Sequence, residues 1–320
     1  MSVLGIDVSK ADFHAVLLAD DSVAKKSFPN GAAGFRALCK WLKNRKASSV
    51  HACMEATGAY WEPLAQSLHA AGIRVSVVNP ARTVFFARSQ LRRTKTDAVD
   101  ARMIADFCAS QHPEPWSPPA PEIGTLRGFL SYRAQLVAQR TGLKQAISQI
   151  KADAALRRIH DGHIGALDDA IVALEDRIAA HVAAHERLKE AVGLMKSIPG
   201  VGLLSAVAVV AKLPVDRLRD AKAAAAYVGL TPSDRESGTS IHGKPRICRT
   251  GNADLRRDLY MPAVSAIRCN PVLRAFAERL TDRGKPAKVV IVAVMRKLIA
   301  LAYTLLTKRT PFQLTACSVA

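Results

Sequence analysis

Val3-Leu4-Gly5-Ile6-Asp7 is a short apolar run that ends in an aspartate, and its reading decides the fold. An apolar run of this length, closed by turn residues, reads as a buried strand. A second run extends from Phe13 to Leu18 and a weaker third from Val23 to Phe28, with Ser9-Lys10-Ala11-Asp12 and Asp20-Asp21 supplying turn chemistry between them. Phe35, Leu38, Trp41 and Leu42 then carry helical spacing. His51-Ala52-Cys53-Met54 reads as a fourth strand that delivers Glu55 at its end, before the Thr57-Gly58 turn. A short helix follows, with Leu64 and Leu68 on one face and Gly72 as its stop. Ile73 to Val78 is a fifth strand, closed by Asn79-Pro80. The order is β-β-β-α-β-α-β, with one more helix to come.

That helix opens in Lys95-Thr96-Asp97-Ala98-Val99-Asp100-Ala101-Arg102 and continues through Met103, Ile104 and Phe107. Residues three apart share a helix face, so Asp97 and Asp100 point the same way. Adjacent carboxylates repel unless a cation lies between them, and Lys95 and Arg102 do not fully neutralise this pair. Alone, such a pair reads more often as an ordinary solvated first turn, where aspartates suit the helix dipole. The element order changes the weighing. A three-stranded meander leading into crossover helices is the order of the ribonuclease H-like fold. In it Asp7 lies on the first strand, Glu55 at the end of the strand beside it, and Asp97 and Asp100 on the last helix. Four carboxylates from three elements make the hard, oxygen-rich cage that magnesium prefers. Metal held there can activate and stabilise the oxygens of a phosphodiester displacement.

The net charge of +19 and pI near 10.1 point to a polyanionic partner, which nucleic acid fits. Fifteen Lys or Arg against four Asp or Glu fall between Ile241 and Thr310, so the basic surface is partly concentrated there. The six cysteines are scattered with no C-x-x-C pair, which argues against a zinc site or a disulfide framework and for a reducing cytosol. No signal peptide is evident, and the longest apolar run, Val201 to Ala211, is too short to span a bilayer. The sequence reads as that of a soluble cytoplasmic protein.

Five prolines between Gln111 and Gly124 predict a stiff, extended linker and a domain boundary. From Leu126 to Ile159 apolar residues keep 3–4 spacing. After Asp161-Gly162 a second seam runs through Ile164, Leu167, Ile171, Leu174, Ile178, His181, His185, Leu188 and Val192. His181 and His185 have the spacing of a zinc helix, but no third ligand is near, and they read as seam or surface residues. Ser197-Ile198-Pro199-Gly200-Val201-Gly202 opens the next helix. A glycine-rich hairpin of this kind, with Gly200 and Gly202 exposing backbone N–H groups, suits phosphate contact as in a helix-hairpin-helix element. An ordinary glycine turn is the alternative.

Gly229 to Ser240 breaks helical periodicity, is rich in hydroxyls, and leads into Lys244, Arg246 and Arg249. A serine beside arginines suits close approach to phosphate and could act as a nucleophile with assistance, although such loops are usually only loops. Helices are expected at Ala253 to Arg268, Val272 to Asp282 and Ala287 to Leu306.

These motifs together resemble one family. Gly5-Ile6-Asp7, Met54-Glu55-Ala56-Thr57-Gly58 and the Lys95 to Arg102 stretch are similar to the DEDD transposases of bacterial insertion sequences. This is the insertion sequence 110 family of bridge-RNA-guided recombinases. The likeness continues through Ser197 to Gly202, Gly229-Leu230-Thr231-Pro232, Glu236-Ser237-Gly238 and Leu259-Tyr260-Met261-Pro262, covering nearly the whole chain in the family's order. It implies that Asp7, Glu55, Asp97 and Asp100 bind Mg2+ in a RuvC-like domain and that Ser237 becomes covalently linked to DNA. It also implies donor and target DNA, a structured bridge RNA, and a dimer of dimers with active sites shared between protomers. The expected layout is an α/β ribonuclease H-like domain at 1–110, a linker at 111–125, and an antiparallel coiled-coil pair at 126–193. A mainly α transposase domain with Ser237 fills 194–320. The alternatives are a RuvC-like nuclease using water, for which Ser237 is incidental, and a nucleic-acid-binding protein whose carboxylates are structural. A sugar-kinase or actin-like ATPase would need a second glycine-rich phosphate loop, which the chain lacks.

Overall fold

The computed structural model describes residues 2–19, 22–47, 49–56, 58, 60–90, 97–151, 153–237, 241–248 and 250–314, with backbone alone at 97–98, 233–237 and 241–245. The chain divides into two compact units, Met1–Pro119 and Ala120–Ala320.

In the first unit β1 (Ser2–Val8), β2 (Asp12–Ala19) and β3 (Ser22–Pro29) form an antiparallel meander. β4 (Val50–Glu55) and β5 (Arg74–Val78) add in parallel on the other side of β1, giving the order β3-β2-β1-β4-β5. This mixed sheet is consistent with the expected ribonuclease H-like arrangement. The two-residue period of a strand sends alternate side chains to opposite faces. Leu4, Ile6, Ala52, Met54 and Val75 face one way, joined by Phe13, Ala15 and Leu17. They pack beneath α1 (Ala32–Asn44) and α2 (Glu62–Ala70) through Phe35, Leu38, Leu42, Leu64 and Leu68. Val3, Cys53 and Val78 face the other way, against Ile104, Ala105, Phe107 and Cys108 of α4 (Asp97–Gln111).

Two features depart from the sequence expectation. Asn79-Pro80 does not merely close β5. Asn79 accepts from the Ala81 N–H at 2.8 Å and Pro80 takes the first helical position, so the pair starts a further helix, α3 (Pro80–Ser89). The proline-rich segment is also not a bare spacer. The Trp116 N–H donates to the Val75 carbonyl at 2.6 Å along the β5 edge, and its ring stands edge-on to Trp61 at 5.7 Å.

The second unit begins with α5 (Pro121–Ser148) and α6 (Ala154–Ala184), which lie antiparallel. Arg133 meets Glu175 at 2.6 Å and Arg140 meets Asp168 at 2.5 Å, so positions ascend on one helix as they descend on the other. The break between the helices falls after Ser148 and before Ala154 rather than at Asp161-Gly162. Asp153 caps α6 by accepting from the Leu156 N–H at 2.8 Å, and Gly162 is carried within the helix. The seam expected to run unbroken to Val192 is interrupted at His185, whose extended backbone (φ −123°, ψ 106°) separates α6 from α7 (Glu186–Lys196). Apolar spacing continues across this break because Ile178, Val182, Leu188 and Val192 all enter one core.

α8 (Leu203–Lys212), a short 3-10 turn at Val215–Arg217 and α9 (Ala221–Val228) follow. The stretch expected to be an irregular loop is instead a hairpin of β6 (Pro232–Ser237) and β7 (Ile241–Ile247). α10 (Ala253–Asp258), α11 (Tyr260–Cys269), α12 (Pro271–Asp282) and α13 (Ala287–Lys308) complete the unit. One long helix was expected where α10 and α11 stand; Pro262 lacks the N–H that would continue the ladder back to Asp258. α13 is long and apolar enough to cross a bilayer by composition alone, yet Val290, Val294, Leu298, Ile299 and Ala302 of this helix are buried in the core.

Candidate active site

Strand register places the first two carboxylates. β1 and β4 run parallel with Gly5 beside Cys53 and Ile6 beside Met54. One step further along both strands sets Asp7 beside Glu55, on the face that α4 covers. On its other side Asp7 pairs across the antiparallel ladder with His14 of β2. The ladder on the far side of β4 also extends past the site. Glu55 is in register with Val78, and the Ala56 N–H donates to the Val78 carbonyl at 2.9 Å.

A glycine decides how α4 meets this face. A Cβ on Gly5 would lie 2.2 Å from the Ala101 carbonyl oxygen and 2.3 Å from the Ala105 nitrogen. Helix and strand therefore touch backbone to backbone, and only glycine permits that approach. Val3, two residues earlier on the same face, packs with Ala105, Phe107 and Cys108. As β1 advances from Val3 through Gly5 to Asp7, the contact on α4 moves back towards its first turn, which carries Asp97 and Asp100. The elements bearing all four acidic residues thus converge at one end of the sheet. The side chain of Asp97 lies outside the described residues, as does Lys95. The Arg102 Nε donates to Asp106 Oδ1 at 2.9 Å, an i,i+4 pair along α4.

Glu55 is held by a residue that the sequence reading passed over. Thr83 of α3 is 2% exposed, and its hydroxyl donates to Glu55 Oε1 in a very short contact while lying 2.8 Å from the Pro80 carbonyl. The available signal was Asn79-Pro80, an N-cap followed by proline, which announces a helix whose first turn folds back over the end of β5.

Beneath the carboxylates the same face carries a buried polar layer. His51 Nε2 lies 2.8 Å from Ser76 Oγ, and that hydroxyl contacts the Pro113 and Glu114 carbonyls at 2.9 and 2.7 Å. Because the serine proton goes to a carbonyl, His51 donates to the hydroxyl through Nε2–H. Cys53 and Cys108 lie side by side in this layer. The hydrogen bond to Cys108, with burial, pushes the Cys53 thiol up; the same bond, with His51 nearby, draws Cys108 down. Among the described residues Cys39, Cys53, Cys108, Cys248 and Cys269 are free thiols.

Oxygen donors of this kind suit a hard divalent ion. Among the described residues no three acidic, histidine or cysteine side chains gather tightly enough to hold an ion alone. Asp7 and Glu55 would supply two donors to such an ion; Asp100 does not close a three-ligand group with them, and the Asp97 side chain lies outside the described residues.

In the second unit Ser237 ends β6, in register with Ile241, while Glu236 pairs with His242 and Arg235 with Gly243. The pairing slips between Ser233 and Arg235, an irregularity of the bulge type that re-aims the outer part of the strand. Arg246 is exposed on β7 opposite Ser233. Gly238, Ser240 and Arg249, and the side chains of Ser237 and Lys244, lie outside the described residues. A 460 Å³ concavity lined by Leu230, Ile247, Arg256, Tyr260 and Met295 opens at the foot of this hairpin. Ser237 stands at the opposite end of β6 from Pro232.

Gly200 and Gly202 behave differently from one another. Gly200 has φ +96°, and a Cβ there would meet the Ala266 Cα and N at 2.6 Å, so this glycine serves close packing against α11. Gly202 is exposed at the N-terminus of α8, with open space around it. His181 Nε2 contacts the Glu122 carbonyl at 2.9 Å and His185 Nδ1 the His181 carbonyl at 2.8 Å, both structural roles.

Residues 4–160 match the DEDD transposase family of IS110, described as Transposase, and residues 192–278 match the Transposase IS116/IS110/IS902 family. The chain is 32% identical to the pilin gene-inverting protein of Moraxella bovis and 31% identical to that of Moraxella lacunata, over 97% of each chain in both cases. It is also 31% identical to an uncharacterized 43.6 kDa protein of insertion element IS110 from Streptomyces coelicolor, over 44% of this chain and 34% of that protein. With matches to both family domains and full-length relatives, the chain belongs to the IS110 family of DEDD transposases, enzymes that recombine DNA.

Proposed function

We propose that this chain cleaves and exchanges DNA strands using Mg2+ held by Asp7, Glu55, Asp97 and Asp100, with Ser237 as the attacking nucleophile. The observation that carries this reading is the placement of Asp7 beside Glu55 on adjacent parallel strands, at the end of the sheet towards which the first turn of α4 points. DEDD transposases typically use a divalent metal. When bound, the ion supplies charge stabilisation at the phosphate and helps activate the attacking oxygen.

The covalent chemistry needs no external energy source. Ser237 Oγ gives up its proton and bonds to phosphorus as one P–O bond of the DNA backbone breaks, and the displaced sugar oxygen leaves as a hydroxyl. A sugar hydroxyl from another strand then attacks the phosphoserine and restores the serine. One phosphodiester is exchanged for another. The relatives' names speak of gene inversion, which requires that strands be cut and rejoined at two sites.

The +19 charge supports a nucleic-acid surface, with Lys95, Arg102, Lys244, Arg246 and Arg249 as contributors and the exposed N-terminus at Gly202 as a phosphate contact. An element-encoded bridge RNA, a dimer of dimers with sites shared between protomers, and a cytoplasmic setting complete the reading. These rest on the family resemblance.

Glu55→Gln and Asp97→Asn test the tetrad. Each is expected to reduce strand exchange on a plasmid substrate by at least about 10²–10³-fold, the scale of losing a fixed transition-state contact, with an unchanged melting temperature. Normal exchange by a folded variant would remove the carboxylates from the mechanism. The RNA is tested by purification: one discrete species from the protein's own locus should accompany it, and full activity after its removal would end that part of the reading.

A further inference from the structure

We infer that Thr83 is a positioning residue that orients Glu55 for the divalent ion and tunes which ion the site prefers. This rests on the proposed role of Glu55 as a ligand. Thr83 carries one hydroxyl hydrogen and has two acceptors within reach, Glu55 Oε1 and the Pro80 carbonyl. Pro80 is the first residue of α3, and a carbonyl at that position already accepts an N–H from the next turn of its own helix. Its need for the threonine proton is small. The half-buried Glu55 carboxylate gains more from the same donor, because a hydrogen bond to an ionised oxygen is about twice as strong as a neutral one. The proton therefore sits between Thr83 and Glu55.

The geometry of this bond is fixed from both ends. Glu55 is in register with Val78, the last residue of β5. Asn79 caps α3 and Pro80 restricts its entry, so Thr83 completes the first helical turn directly over that strand end. The link runs from strand β4 through the Glu55 side chain to one hydroxyl on helix α3, and Thr83 is buried.

Two consequences follow for metal binding. Holding a glutamate in one rotamer costs side-chain entropy, and Thr83 imposes that order before the ion arrives. Engaging Oε1 also opposes two-oxygen chelation by Glu55. Mg2+ and Mn2+ favour compact octahedral sites with one oxygen per carboxylate, whereas Ca2+ readily takes both. Thr83 thus favours the smaller ions.

The test is Mn2+ and Ca2+ binding to the full chain by calorimetry, for the wild type and for Thr83→Val, Thr83→Ser, Thr83→Ala and Glu55→Gln. Thr83→Val keeps the shape and removes the donor. It is expected to weaken Mn2+ about 10–100-fold, the usual scale for losing an outer partner of a ligand, and to weaken Ca2+ less. Thr83→Ser is expected to recover Mn2+ affinity. If Thr83→Val does not fold, Thr83→Ala makes the same comparison with the serine variant. If Glu55→Gln weakens Mn2+ while the valine variant binds like wild type, the Thr83 inference fails alone. Equal losses in the valine and serine variants also overturn it, since packing rather than the hydroxyl would then be at work. Unaltered Mn2+ binding by Glu55→Gln would sink the ligand reading, and this inference with it.

Discussion

The two units position the residues of the proposed mechanism by different physics. In the first, Asp7 and Glu55 sit on central strands of a five-stranded sheet, with helices packed on both faces and α4 in backbone contact at Gly5. Their spacing is set by strand register, which cannot slip by one residue without turning every core side chain to the wrong face. In the second, Ser237 ends one strand of a two-stranded hairpin whose pairing is already irregular at Ser233. Such a ribbon has few fixed neighbours and draws its stability from what it packs on. A metal site needs fixed distances between several ligands, and a deep sheet supplies them. A nucleophile must instead reach a strand of DNA, attack it and release it.

The strongest way to break this comparison is to remove the proposed nucleophile. Ser237→Ala is expected to abolish the covalent protein–DNA adduct on denaturing gels while leaving DNA binding, Mn2+ affinity and melting temperature as in the wild type. An adduct that persists moves the nucleophile elsewhere, with Ser240 the next candidate. The same variant sharpens the proposal of shared sites. Mixed with Asp7→Asn, each inactive alone, it should restore the adduct on the Asp7→Asn subunit. Its absence from proven heterodimers favours sites built within one protomer.

A smaller effect separates the two units through their packed glycines. Gly5→Ala forces a Cβ into the α4 backbone and is expected to cost about 3 kcal/mol or more, at the upper end of overpacking, together with Mn2+ affinity. Gly200→Ala places a side chain at φ +96° against α11 and is expected to cost about 1–3 kcal/mol in the melting of the second unit, with Mn2+ binding retained. Denaturant melts of both variants, read beside calorimetry, check this. A Gly200→Ala protein that loses Mn2+ would mean that the units are not energetically separate.

The smallest expected effect lies on the α5–α6 pair. Arg140 holds the Asp168 carboxyl below its ordinary value of 3.8 through a direct hydrogen bond. A carboxyl depressed in the folded state stabilises the fold above its unfolded value, and that contribution fades as pH falls through the lower, folded one. Because the pair is exposed, Arg140→Ala should shift melting only slightly at neutral pH, and the difference should vanish in strong acid. A difference that grows on acidification would contradict the assignment.

Much of this was legible in the chain because it depends on neighbours close in sequence. Strand runs that end at Asp7 and Glu55, the three-residue spacing of Asp97 and Asp100, and the proline-rich break all announce themselves within ten residues or so. The motif around Ser237 was equally local, though not its strand. Other features were decided by contacts that no short window contains. Gly5 is required by Ala101 and Ala105, almost a hundred residues away. Thr83 matters because β4–β5 register brings Glu55 beneath the first turn of α3. The 3–4 apolar pattern crossed His185 undisturbed because both helices bury into one core, so periodicity recorded the core and not the bend. Local chemistry determined which residues could act. Only the tertiary structure decided which were held together, because backbone register and close packing bring distant segments within reach of a single hydrogen bond.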